Sequence, residues 1–245
     1  MALLPDKLGK CPLKEAILEI RYSSSLPIDA IFGVLYASIK DLFPQPPVQL
    51  PILEIPASIR TQDPNFKYQA HHRLIKDNIV LNIGPRVLSF ANQTPYDGWT
   101  EWSTFVYDAL DKILATKVLD KIERVGLRYI NLFDGNIFDK VKLEVKINSK
   151  VLRKESTNLR TEIIDGKFIK ILQVANAVNV QKNDMFSNNS VIDIDCLHNV
   201  ESNGNFVKNY KIVIEEAHEK VKELFFSLLK PSFLNELEPN PGGTL

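Results

Sequence analysis

The sequence predicts an α+β fold: an antiparallel sheet with a ferredoxin-like βαββαβ first half, a β-rich second half and a long C-terminal helix. Three patterns carry this expectation. Over the first 135 residues, strand-like and helix-like runs follow one another as strand, helix, two or three strands, helix, strand. The stretch Glu123–Phe133 (E-R-V-G-L-R-Y-I-N-L-F) is apolar on both faces, as a central strand is. Near the C-terminus, Tyr210, Ile214, Ala217, Val221, Leu224 and Leu228 step by 4, 3, 4, 3 and 4, a narrow apolar seam on one long helix.

Glu15–Tyr22 reads as the first strand, with Ala16, Leu18 and Ile20 on one face and Glu15, Ile17, Glu19 and Arg21 on the other. Pro27 sits where a helix starts. Ile28, Ile31, Phe32, Leu35, Ile39, Leu42 and Phe43 then recur at helical spacing until Pro44. Pro44, Pro46, Pro47, Pro51 and Pro56 mark an extended connector. His71–Ile75 and Ile79–Ile83 flank Lys76-Asp77-Asn78 as a hairpin, and Arg86–Ala91 adds a short strand. Trp99, Trp102, Phe105, Val106, Ala109, Leu110, Ile113 and Leu114 form the apolar face of a second helix.

In the second half, Val141, Leu143, Val145 and Ile147 alternate with polar residues and read as a half-buried strand. Leu159–Ile164 and Phe168–Ala175 flank Asp165-Gly166 as a second hairpin. Asn176–Asn189 reads as an Asn-rich loop, Val191–Leu197 as a strand and Asn203-Gly204-Asn205 as a turn before the long helix. The strongest linker candidate interrupts the first βαββαβ set. The chain is therefore expected to form one compact unit of two halves, about 1–136 and about 137–245.

Composition narrows the classes of function. Hydrophobic residues make up 44% and charged residues 24%, so the chain has the means to bury a core. Thirty basic residues balance thirty acidic ones, which removes a global pull towards nucleic acid or anionic membrane. Cys11 and Cys196 are the only cysteines, Met1–Cys11 lacks the features of a secretory signal, and no window is apolar enough to span a bilayer. A cytoplasmic location is the expectation. Ten glycines and no Gly-rich phosphate loop argue against nucleotide chemistry. The common hydrolase and metalloprotease motifs are missing too, and no cofactor is expected.

Several residues stand out as candidates. Arg124, Arg128, Tyr129 and Asn131 put charge and polarity into a central strand, where a charge needs a partner. If the first strand lies alongside, Glu15 or Glu19 reaches across to Arg128; an anion site is the functional alternative. Tyr96, Trp99 and Trp102 cluster at a helix start as core or as the lining of a ligand pocket. Asp193 and Asp195 share a strand face and are candidates for holding a metal or acting as an acid/base pair. Lys142, Lys146, Lys150, Arg153 and Lys154 form the best local basic patch, suited to phosphates or to guarding an edge strand. Adjacent His71 and His72 point to opposite faces on a strand, which keeps them from sharing a metal.

Four blocks in order carry a resemblance: Pro12–Tyr22 (P-L-K-E-A-I-L-E-I-R-Y), Tyr96–Trp99 (Y-D-G-W), Glu123–Asn131 (E-R-V-G-L-R-Y-I-N) and Ala217–Phe225 (A-H-E-K-V-K-E-L-F). They resemble a sporadically distributed prokaryotic family of uncharacterised proteins. The resemblance implies a bacterial or archaeal cytoplasmic protein, and its patchy distribution fits defence or toxin-neutralising gene cassettes. It brings no activity and no catalytic residue with it. The functional expectation is a non-enzymatic binding or regulatory protein with a protein partner or a second copy of itself. The alternatives are an RNA- or DNA-binding protein using residues 140–160 and a metal-dependent hydrolase or nuclease using Asp193 and Asp195.

Overall fold

A computed structural model describes residues 4–182 and 185–240, without side chains at 178–182 and 185–188. The first segment contains β1 (Lys7–Leu8), β2 (Leu13–Ser23), α1 (Ile28–Ile39), β3 (Val48–Gln49) and α2 (Ala57–Gln62). Next come β4 (His72–Lys76), β5 (Ile79–Gly84), β6 (Val87–Gln93), α3 (Trp99–Ala115) and β7 (Lys121–Asp134). The remainder holds β8 (Lys146–Ile147), β9 (Lys150–Val151), β10 (Thr157–Asp165), β11 (Phe168–Lys182), β12 (Met185–Asn199), α4 (Asn203–Leu228), α5 (Pro231–Glu236) and β13 (Pro239–Asn240).

Among the described residues, nine strands are hydrogen-bonded in the order β10-β11-β12-β7-β2-β6-β5-β4-β3. The run β7-β2-β6-β5 places the last, first, third and second strands of the βαββαβ unit side by side, the ferredoxin-like order. The fold is thus mixed α+β with a large antiparallel sheet and a long C-terminal helix, as the periodicity predicts. The connection order also recurs. On each side of the β2–β7 pair, three consecutive strands follow in line, the last lying next to the central strand and leading into a helix.

Two compact units divide the chain: residues 16–127 with 197–215, and residues 1–15, 128–196 and 216–245. Each gathers discontinuous segments, so the boundaries do not follow the expected division near residue 136. They fall inside β2, β7, β12 and α4 instead.

In the first unit, α1 and α3 pack together. They bury Leu35, Ile39, Trp102, Val106 and Leu110 with Leu18 and Ile20 of β2, Leu81 of β5 and Phe90 of β6. Each such side chain contributes about 1.5–3 kcal/mol by leaving water. The β4–β5 turn works because Asp77 tolerates a left-handed φ of 52°. The Tyr22 hydroxyl donates to the Gly84 carbonyl at 2.8 Å, which pins β2 to the end of β5. In the second unit, Ile192 and Ile194 of β12, Leu172 and Val174 of β11, and Val221 and Phe225 of α4 are buried. Phe133 stacks on Phe225 and meets Phe233 edge-on.

Four local expectations need correction. The Val141–Ile147 strand is reduced to a bridge between Val141 and Leu229 and the two-residue β8, because no long neighbour pairs with the residues between. The Asn-rich stretch 176–189 is not a loop: β11 and β12 run on through its described residues, main-chain pairing overriding the low strand preference of Asn. The proline-rich connector is not simply extended either. It holds one-turn helices at Pro51–Glu54 and Pro64–Phe66, with α2 between them. The turn expected at Asn203 is the first turn of α4, where the Asn203 side chain accepts from the Ile122 amide and donates to the Asp120 carbonyl. No helix among the described residues is long and apolar enough to cross a membrane.

Gly84 illustrates how tightly the end of β5 is packed. A Cβ at this position would collide with the Gln69 carbonyl oxygen, a backbone atom that cannot swing aside. Gly84→Ala is expected to destabilise the protein by roughly 1–3 kcal/mol in chemical denaturation.

Candidate functional site

A cleft of about 190 Å³ opens in the unit built around α1 and α3, and β4 with the end of β5 forms one wall. Ile28, Asp29, Ile31 and Phe32 of α1 form another, and Leu53 and Arg60 come from the connector. His71, His72, Ile83, Gly84 and Pro85 complete the lining. Proline punctuation makes this geometry possible. Pro27 sets the start of α1, and the prolines of the connector hold its short helical turns so that Arg60, on α2, faces the sheet.

Arg60 is anchored, with its Nε donating to the Ile55 carbonyl at 2.9 Å. Its Nη1 lies 3.3 and 3.4 Å from the two ring nitrogens of His71, so the guanidinium sits against the imidazole. Among the described residues, no carboxylate pairs with Arg60. His71 is buried, and burial, followed by the Arg60 charge and then His72, pushes its pKa down to about 4. His72 stacks on Phe32 with ring centroids 3.6 Å apart, and its Nδ1 is buried without a hydrogen-bond partner. Burial lowers the pKa of His72 as well. Strand alternation predicts that the two histidines part company. Both rings line the same cleft nonetheless, His72 against Phe32 and His71 against Arg60.

Of the aromatic cluster, Trp102 is core, while Tyr96 and Trp99 are half-buried beside it. Trp102 is 1% exposed and meets both Tyr96 and Trp99 edge-on. Trp99 Nε1 and the Tyr107 hydroxyl each donate to one oxygen of Glu215 at 2.8 Å, a carboxylate that sequence reading does not single out. The space among Leu18, Trp99, Trp102, Ser103, Val106, Tyr107 and Ile214 is too small for a water molecule, so this space holds no ligand.

The charges of β7 are paired, though not as the sequence suggests. Glu15 and Glu19 are the expected partners of Arg128, but β12 is the other neighbour of β7, and Asp193 takes the guanidinium. Nε donates to Oδ1 at 2.8 Å and Nη2 to Oδ2 at 2.6 Å. Asp193, then Asp195 and Glu15, hold Arg128 even more firmly protonated than usual. Arg124 donates to Glu19 at 2.8 Å, and Arg21 shares the same oxygen. Tyr129 pairs with His218 at 2.9 Å, and Asn131, 4% exposed, donates to the Ile192 carbonyl. With both oxygens of Asp193 engaged by Arg128, the Asp193–Asp195 pair offers little to a cation. No group of three His, Cys, Asp or Glu side chains suited to a metal exists among the described residues.

In the basic segment Lys146 is ion-paired, and other contacts run through the backbone. Lys142 donates to the Ser227 carbonyl, Lys146 pairs with Glu144, and Glu155 accepts from the Arg153 and Lys154 amides. Lys150 belongs to β9, the partner of β8.

Removing Arg128 strands a buried carboxylate. Arg128→Ala is expected to cost roughly 1–3 kcal/mol in chemical denaturation, and Arg128→Lys to recover only part of it, because an ammonium cannot bind both oxygens in the same fork. Acid has a separate effect. His71 titrates near pH 4 in the fold, and burial pushes His218 down to about 3, while an unfolded histidine titrates near 6.5. Their stabilisation is complete above pH 6.5 and is lost as the pH falls to about 4 for His71 and about 3 for His218, because over that range only the unfolded chain takes up the protons. Thermal melts across that window are expected to show the loss, and His218→Gln is expected to flatten it.

Compared with known proteins, the chain matches no protein-family model, and no curated protein matches it either.

Proposed function

We propose that this chain is a non-enzymatic binding protein, and that the cleft at Arg60 takes a small, singly charged anion with an apolar body. The observation that carries this reading is Arg60: an anchored guanidinium, without a carboxylate partner among the described residues, in a cleft otherwise walled by Ile31, Phe32, Leu53 and Ile83. A guanidinium in such surroundings binds a carboxylate with charge-assisted hydrogen bonds. The start of α1 at Ile28 and Asp29 adds the partial positive charge of a helix N-terminus. Asp29 on the rim disfavours a multiply charged phosphate, which is why a monocarboxylate is preferred.

Two features favour binding over catalysis. A histidine with a pKa near 4 is a weak proton acceptor at neutral pH. The cleft lining also includes no serine, cysteine, lysine or tyrosine to act as a nucleophile. A regulatory role in a prokaryotic defence or toxin–antitoxin setting is the biological context we attach to this reading, on the strength of the sequence resemblance.

The test is titration of the full chain with isovalerate and, separately, inorganic phosphate, followed by NMR shifts at Phe32, His71 and His72. Isovalerate is expected to saturate and phosphate to bind more weakly. Arg60→Gln is expected to weaken isovalerate binding about tenfold or more, and Asp29→Asn to strengthen it. Absence of saturable shifts, or an Arg60→Gln protein that binds as tightly as the parent, would refute the proposal.

A further inference from the structure

The two ends of the nine-stranded sheet differ. At one end β3 is only two residues long and follows Pro46 and Pro47, with Pro51 just beyond. Short length and nearby prolines blunt an edge against pairing with other chains. At the other end β10 runs for nine residues without a proline, a lysine or a bulge. Every residue from Thr157 to Asp165 is in register with β11, from Asn176 to Phe168. Among the described residues β11 supplies the only main-chain pairing of β10, so its outer edge presents free N–H and C=O groups. Leu159 and Ile163 are half-buried on one face; Arg160, Glu162 and Ile164 are exposed on the other, Ile164 at 81%.

We propose that this edge pairs antiparallel with β10 of a second copy of the chain, about a twofold axis at Thr161. Asn158 meets Ile164 and Thr157 meets Asp165 at the ends, while the inner residues 159–163 are self-complementary about Thr161. Antiparallel pairing centred there sets Arg160 opposite Glu162 of the second copy, and Glu162 opposite its Arg160. On the other face it sets Leu159 opposite Ile163. Opposite residues in an antiparallel pair share a face, so both matches are direct.

The charges also select the register. Sliding by two residues one way sets Arg160 against Arg160; the other way sets Glu162 against Glu162. Sliding by one residue exchanges the faces and sets Leu159 against Glu162 one way and Ile163 against Arg160 the other. Within one chain Arg160 and Glu162 already touch at 2.8 Å, and both stay about half exposed, at 50% and 55%. Two copies therefore form a four-charge row without moving either side chain far. The interface is isologous and closes on itself as a dimer.

Sedimentation velocity on the full chain tests this directly. The parent chain is expected to dimerise. Arg160→Glu turns two attractive cross-strand pairs into repulsive ones and is expected to weaken the dimer about tenfold or more. The double variant R160E/E162R restores opposite charges across the axis and is expected to restore the dimer. Hydrogen exchange on the unmodified chain reads the same contact without substitution, since the outward amides of β10 gain protection only as concentration rises. A monomeric parent chain, β10 amides whose exchange ignores concentration, or a dimer indifferent to Arg160→Glu would each overturn the proposal.

Discussion

Charge on the central strands must be matched within the sheet, and much of the structure follows from that constraint. β2 and β7 bury Leu18, Ile20, Val125 and Leu127 on one face and carry Glu19, Arg21, Arg124 and Arg128 on the other. A strand between two neighbours has nowhere to send a long charged side chain except across the sheet surface. Arg124 and Arg21 therefore meet on Glu19, and Arg128 lies along β12 to take both oxygens of Asp193. The fork geometry of arginine suits it to this bidentate contact. Because Asp193 is almost fully buried, the pair stabilises chiefly by avoiding a stranded carboxylate rather than by Coulomb attraction across the exposed guanidinium.

The polar groups of the interior follow the same rule. Glu215 accepts from Trp99 and Tyr107, Tyr129 meets His218, and Asn131 reaches the Ile192 carbonyl. The buried partnerless exceptions are the nitrogens His72 Nδ1, Trp102 Nε1 and Arg124 Nε among the described residues. His72 Nδ1 stands apart because its ring lines a cleft with room for a small molecule. The Trp102 indole is enclosed where not even a water fits. Room beside an unmatched polar atom is what distinguishes the Arg60–His71 cleft from the aromatic cluster.

Much of the fold was legible because it rests on local pattern. The apolar spacing of α1, α3 and α4 and the alternation of β2 and β4–β6 follow periods that burial of one face imposes. Reading failed where pairing overrides preference. Asn-rich residues continue β11 and β12 because each strand has a neighbour to bond, and the Val141–Ile147 alternation stays largely unpaired because it has none. The candidate site was barely legible. Phe32, Leu53, Arg60, His71 and Ile83 are scattered over fifty residues, and the proline-rich connector that delivers Arg60 reads as a spacer.

By itself, the sequence determined the α+β class, the βαββαβ order, the main helices, and the need of Arg124 and Arg128 for partners, since these depend on periodicity and on the cost of burying charge. Tertiary structure alone decided which carboxylate answers which arginine, that two adjacent histidines line one cleft, and that Trp102 is core while Trp99 beside it is half-buried. Each is a question of which strands and helices become neighbours, and strand order in a sheet is set by long-range pairing that no local spacing encodes.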